Sequence, residues 1–170
     1  KNRAFGTLIG RYNGKNAANE YIVRNNIRDG SYVFIDYSHR YTKPFMPKIS
    51  DKEYNLVISF LTPHYFAAEK AKGKKKIAWI HTDYSYIDVD VVSELDMWSR
   101  YDRIVSISEK VTEAFLIEFP ALADRIVLIK NIHPSELIKK QADEFDASNE
   151  MPDDGYIKFL SVGRYTDAKN

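Results

Sequence analysis

The sequence contains no cysteine. Disulfide staples, thiolate zinc sites and cysteine nucleophiles are therefore excluded, and a reducing, cytoplasmic setting suits the chain. Long apolar runs are also missing. None approaches the roughly 18 residues that a membrane-spanning helix requires. Nor is there an excess of one charge, since 25 Lys and Arg stand against 24 Asp and Glu for a net of +1. A nucleic-acid binder usually shows a marked basic excess, so no nucleic acid is expected as partner. Glycine fingerprints are scarce too. No G-x-G-x-x-G occurs, which counts against a nicotinamide or flavin enzyme. The stretch Gly10 to Asn16 is one residue short of a P-loop and has Asn16 where Ser or Thr would bind magnesium. No initiator Met precedes Lys1, so the lack of a visible signal peptide carries little weight.

What is present supports a packed core. Hydrophobic residues make up 44% of the chain, with 12 Tyr, 9 Phe and 2 Trp, a composition unlike that of disordered chains. Short continuous apolar runs occur at Tyr32–Ile35, Leu56–Phe60, Ile77–Ile80, Arg103–Ile107 and Ile126–Ile129. Such runs suit strands of a parallel sheet. Helical patterns separate them: Pro63–Lys72, then Val91–Tyr101 with Val92, Leu95 and Trp98 at helical spacing. Ser108–Phe119 follows, with Val111, Ala114, Phe115 and Phe119 on one face and Ser106 or Ser108 as cap, then Pro134–Ala142. Alternating strand and helix predicts right-handed βαβ units and an α/β, Rossmann-like parallel sheet with helices on both faces. In the first fifty residues, Ala4–Ile9 reads as a strand, Ala17–Ile27 as a weak helix, and Tyr37–Ser50, with Pro44 and Pro47, as a loop.

The texture changes near Gln141. Residues 141–155 carry six acids and neither Lys nor Arg, and read as a solvated linker. Tyr156–Val162 then reads as a sixth strand. A lone strand cannot form a domain, so the expected organisation is an N-terminal Rossmann-like domain over 1–140, an acidic linker over 141–155, and the start of a truncated second domain over 156–170.

Two places carry candidate chemistry. The final strand runs into Gly163 and Arg164, with Lys169 five residues on. Ligands of open α/β sheets sit at the carboxyl ends of strands, and an Arg fork with a Lys point charge suits a diphosphate. The plainer alternative is an ordinary βα turn with two solvated cations. His81 directly follows a strand, where it can bond a sugar hydroxyl or shuttle a proton. The plainer alternative is a histidine bonded to nearby backbone. Asp83, two residues on, is weak support for a metal pair.

Taken in order, Ile80-His81-Thr82-Asp83, Val105-Ser106-Ile107-Ser108-Glu109 opening a helix, the linker, and Leu160-Ser161-Val162-Gly163-Arg164 with Lys169-Asn170 resemble the retaining, nucleotide-sugar-dependent glycosyltransferases of the group 1 family, which have the two-domain GT-B fold. The resemblance covers Tyr54 to Asn170. It implies that His81 projects into the cleft near the donor sugar and supports transfer. It also implies that Gly163, Arg164 and Lys169 grip the donor diphosphate, and that no bound metal or other cofactor is needed. The parent enzyme would transfer a hexose, from a UDP-sugar, to a saccharide or lipid-linked acceptor in cell-surface polysaccharide or glycolipid synthesis, in the cytoplasm or at the inner membrane face. Two departures stand out: the family's distal glutamate pair would fall beyond Asn170, and its glycine-rich first loop is not apparent. The fragment by itself is not expected to be active.

Lys70, Lys72, Lys74, Lys75 and Lys76 crowd into seven residues. Such a cluster attracts anionic lipid, although a solvated helix end and turn before a strand is the preferred explanation. The alternatives are therefore a non-catalytic α/β module docking to a membrane or partner, or another α/β enzyme such as a sugar-nucleotide epimerase or oxidoreductase.

Overall fold

The computed structural model describes residues 2–146, 148 and 150–163. The chain divides into two compact units, Lys1–Asn131 and Ile132–Asn170.

The first unit opens with two helices, α1 (Asn2–Arg24) and α2 (Ser31–Thr42). The strand expected over Ala4–Ile9 is instead the first turns of α1, and Tyr32–Ile35 lies in the first turn of α2. Helix also replaces much of the loop expected from Tyr37, since α2 continues to Thr42 and a 3-10 turn covers Lys43–Phe45. Packing overrides local preference here. Gly6, Gly10 and Gly14 recur every fourth residue and are all buried. A Cβ at Gly10 would lie 2.6 Å from the carbonyl oxygen of Tyr41, and one at Gly14 would lie 2.8 Å from that of Tyr37. Glycine disfavours an isolated helix, but Gly10 and Gly14 let α1 lie backbone to backbone against α2, while Gly6 leaves room for the Phe45 ring. Ala18, Val33 and Tyr37 are buried in the small core of this hairpin.

The remainder of the unit is α/β, with the expected Rossmann-like alternation. In order come β1 (Glu53–Ser59), α3 (His64–Lys70), β2 (Lys72–Ile80), α4 (Val91–Trp98), β3 (Arg103–Ser106), α5 (Glu109–Glu118) and β4 (Ile126–Leu128). The sheet is parallel throughout, in the order β1-β2-β3-β4. In register, Ser59 lies beside Ala78, Ala78 beside Ile104 and Ile104 beside Ile126. Ala78, Ile80 and Ile104 join Tyr65, Trp98, Phe115 and Phe119 from the helices in one core. Residues of opposite parity in β1 stay about half exposed, from Tyr54 at 42% to Ile58 at 51%.

Helix starts follow the sequence. Ser108 accepts from the Val111 amide at 3.2 Å and is the cap of α5. Asp90 accepts from the Ser93 amide at 3.1 Å and caps α4. The buried face of α5 holds Val111, Ala114 and Phe115, as the spacing predicts. In α4 the buried face is instead Ser93, Glu94, Met97 and Trp98, and Val92 is exposed. Glu94 takes an inward position because Tyr84 and Trp98 supply hydrogen bonds to it.

The second unit begins with α6 (Ser135–Ala142). The helix expected to close the first domain thus belongs to the second unit, whose boundary precedes it. Tyr156–Val162 takes no regular secondary structure and is exposed. The expected sixth strand is not formed, because no described strand pairs with it and an unpaired strand is unstable in water.

Candidate functional site

The carboxyl ends of β1 and β2 carry two histidines. β2 ends at Ile80 and delivers His81 into the turn that follows. Its ring meets Phe60 edge-on, with centroids 4.6 Å apart. Its Nε2 is buried and has no hydrogen-bond partner among the described residues. A cavity of about 60 Å³ adjoins it, lined by Tyr32, Thr62, His64, Trp79, Thr82 and Tyr84 among others. A space of this size admits water or one small polar group.

His64, at the start of α3, was not singled out from the sequence. Its Nδ1 lies 2.8 Å from the Ser59 hydroxyl at the end of β1. Its ring packs against Trp98 at 4.7 Å, and its carbonyl accepts from the Tyr101 hydroxyl at 2.6 Å. Burial, and then the neighbouring His81 and His39, push its pKa down to about 4, so it is neutral at neutral pH. The Ser59 and His64 spacing spans a strand end and a helix start, a pairing that only the β1–α3 turn brings together.

Behind this pair lies an acidic cluster. Glu94, 1% exposed, accepts from the Tyr84 hydroxyl at 2.7 Å and from the Trp98 indole at 3.1 Å through the same oxygen. Burial, reinforced by the charge of Asp36, pushes its pKa up to about 8. Asp36 on α2 is also buried and is pushed up to about 6, chiefly by desolvation. Its Oδ2 has no hydrogen-bond partner among the described residues. Sequence spacing does hint at Glu94, which stands four residues before Trp98 on one helix face. Nothing comparable marks Asp36.

Asp83 is engaged by its neighbours. It caps the following 3-10 turn by accepting from the Ser85 amide at 3.0 Å, and it pairs with Lys110 at 3.2 Å. The Ser85 hydroxyl and amide, with Lys110, hold its pKa below the ordinary carboxylate range.

The lysine cluster is divided between α3 and β2. Lys70 ends α3, and Lys72, Lys74, Lys75 and Lys76 lie in β2 with no intervening turn. Lys75 pairs with Asp102 at 2.8 Å. Lys76 turns inward and donates to the carbonyl of Ala68 at the end of α3. Gly163 is exposed, with nothing near the position of a Cβ. Arg164 and Lys169 lie outside the described residues.

No protein-family model, no curated protein and no solved structure matches this chain.

Proposed function

We propose that this chain is the N-terminal part of a metal-independent retaining glycosyltransferase that moves a hexose from a nucleoside-diphosphate sugar, a UDP-sugar in the first instance, to a saccharide or lipid-linked acceptor. The observation that carries the reading is His81: an imidazole at the carboxyl end of a parallel strand, beside a small cavity, whose Nε2 is buried without a partner. A buried polar atom left unpaired costs about 1–3 kcal/mol. A sugar hydroxyl reaching the cavity would satisfy it, so the cost in the empty site becomes selectivity for a hydroxylated ligand. The parallel α/β sheet supports the reading, since such sheets bind ligands at that edge. So does the ordered set of motifs from Ile80 to Asn170. In the reaction the bond from the anomeric carbon to the diphosphate oxygen breaks, a bond to the acceptor hydroxyl oxygen forms, and the hydroxyl proton passes to the departing diphosphate. His81 borders the sugar. Gly163, Arg164 and Lys169 stabilise charge growing on the departing diphosphate.

Two measurements test this. Calorimetric titration of the complete enzyme with UDP, GDP, ADP and NAD is expected to give selective binding of one nucleoside diphosphate, lost in Arg164→Ala. Binding of NAD alone would move the assignment to an oxidoreductase, and binding of none would remove the transferase. His81→Ala is expected to slow sugar transfer at least tenfold with thermal stability retained, and an unchanged rate would remove His81 from the site.

A further inference from the structure

The first half of α1 turns its small residues, Gly6, Gly10 and Gly14, inward, so its bulky residues point out, whereas Tyr21 and Ile22 further along pack against the hairpin core. Phe5, Leu8, Ile9 and Tyr12 follow the i, i+3, i+4, i+7 spacing of one helix face, and they are 67%, 63%, 40% and 68% exposed. Val23, on the same face three turns further on, is 80% exposed. A water-facing helix ordinarily carries charge there. Cations border one side of this stripe instead: Arg11 and Lys15 are exposed beside Leu8 and Tyr12. The first acid of the chain is Glu20, and the first thirty residues hold six cations against two acids although the whole chain is only +1.

We propose that the outer face of α1 docks on an anionic lipid bilayer, lying in the interface with Phe5, Leu8, Ile9 and Tyr12 among the acyl chains and Arg11 and Lys15 at the phosphates. This does not depend on the transferase reading. Charge complementarity selects the occupant. A second copy would set Arg11 and Lys15 of one hairpin against those of the other, and like charges repel. An anionic bilayer offers an apolar interior and a negative rim together, which matches a helix with aromatic and aliphatic residues on one side and cations along one border. No described helix is long and apolar enough to cross a membrane, so this contact lies on the surface of the bilayer.

The chain has no cysteine, so a single labelled thiol reports on one place. Leu8→Cys and, as a control on exposed α5, Glu113→Cys carry an environment-sensitive fluorophore. With phosphatidylcholine vesicles containing one third phosphatidylglycerol at low salt, the Leu8→Cys label is expected to shift to the blue and brighten, while the Glu113→Cys label does not. Vesicles of phosphatidylcholine alone, or 0.5 M NaCl, are expected to abolish the shift. In sedimentation, Arg11→Glu with Lys15→Glu, and separately Phe5→Ser with Leu8→Ser and Tyr12→Ser, are each expected to weaken vesicle binding at least tenfold with unchanged circular dichroism. All five positions are exposed or on the outer face, and should either set unfold the hairpin, the labelled wild-type surface still decides. An unshifted Leu8→Cys label on anionic vesicles would overturn the proposal. So would vesicle binding that survives both sets of substitutions, or a dimer formed through this face in place of lipid binding.

Discussion

The Tyr84 hydroxyl donates to Oε2 of Glu94 at 2.7 Å, and that carboxyl is buried against Trp98 with Asp36 as its charged neighbour. Glu94 therefore enters the fold neutral. Its folded pKa of about 8 and that of Asp36 at about 6 both lie above ordinary carboxylate values. A raised acid contributes stability fully below its unfolded pKa and loses it as pH rises through the folded one. Stability is expected to fall between about pH 4 and pH 8 on account of this pair. Glu94→Gln keeps an oxygen for Tyr84 and Trp98 and cannot ionise. It is expected to raise the melting temperature at pH 9 by roughly 4–8 °C, on the order of 2 kcal/mol, and to change little at pH 5. Equal gains at both pH values would sink this account.

His64 acts on the other limb. Its folded pKa of about 4 lies below that of a free imidazole, so the unfolded chain binds the extra proton first and stability drops as pH falls from about 6.5 to 4. His64→Gln is expected to flatten that limb in a series of thermal melts. Because Ser59 loses its ring partner, the variant is also expected to cost about 1–2 kcal/mol at pH 7.

The glycine contacts of α1 admit a direct test. Gly10→Val places branched carbon where the Tyr41 carbonyl sits at 2.6 Å, and is expected to destabilise by about 1–3 kcal/mol through overpacking. Asn13→Ala, one turn away and exposed, is expected to stay within about 0.5 kcal/mol of wild type. Urea melts of the pair distinguish a packing stripe from a chance recurrence of glycine.

Asp90 serves three groups. Its Oδ2 accepts from the Tyr37 hydroxyl at 2.9 Å and Arg40 at 3.3 Å, while its Oδ1 caps α4. Asp90→Ala is expected to cost about 2 kcal/mol by removing a cap and leaving a buried hydroxyl short of a partner. Asp90→Asn, which keeps an amide oxygen for one of these roles, is expected to cost less than half as much by chemical denaturation.

The four strands were legible because Leu56–Phe60, Ile77–Ile80, Arg103–Ile107 and Ile126–Ile129 are short, mainly apolar runs, the pattern a parallel sheet imposes. The hairpin was not. Tyr32–Ile35 has the residue types of a strand, and Gly6, Gly10 and Gly14 weaken any local helical signal, so only the fit of one backbone against another makes both segments helical. His81 could be found from its place after a strand. Asp36 could not, because a carboxylate in a helix ordinarily faces water and the groups that surround it come from distant parts of the chain, whereas Glu94 was hinted at by Trp98 four residues on, with its other partner, Tyr84, supplied by the turn before the helix.

Gly10 and Gly14, one turn apart, also act as an alignment key. Sliding α1 along α2 by one residue would swing Arg11 and Lys15 toward the slots that now admit only a hydrogen atom. A hairpin out of register would collide at both places at once, so these two residues, which locally disfavour a helix, decide which of many possible alignments the chain accepts.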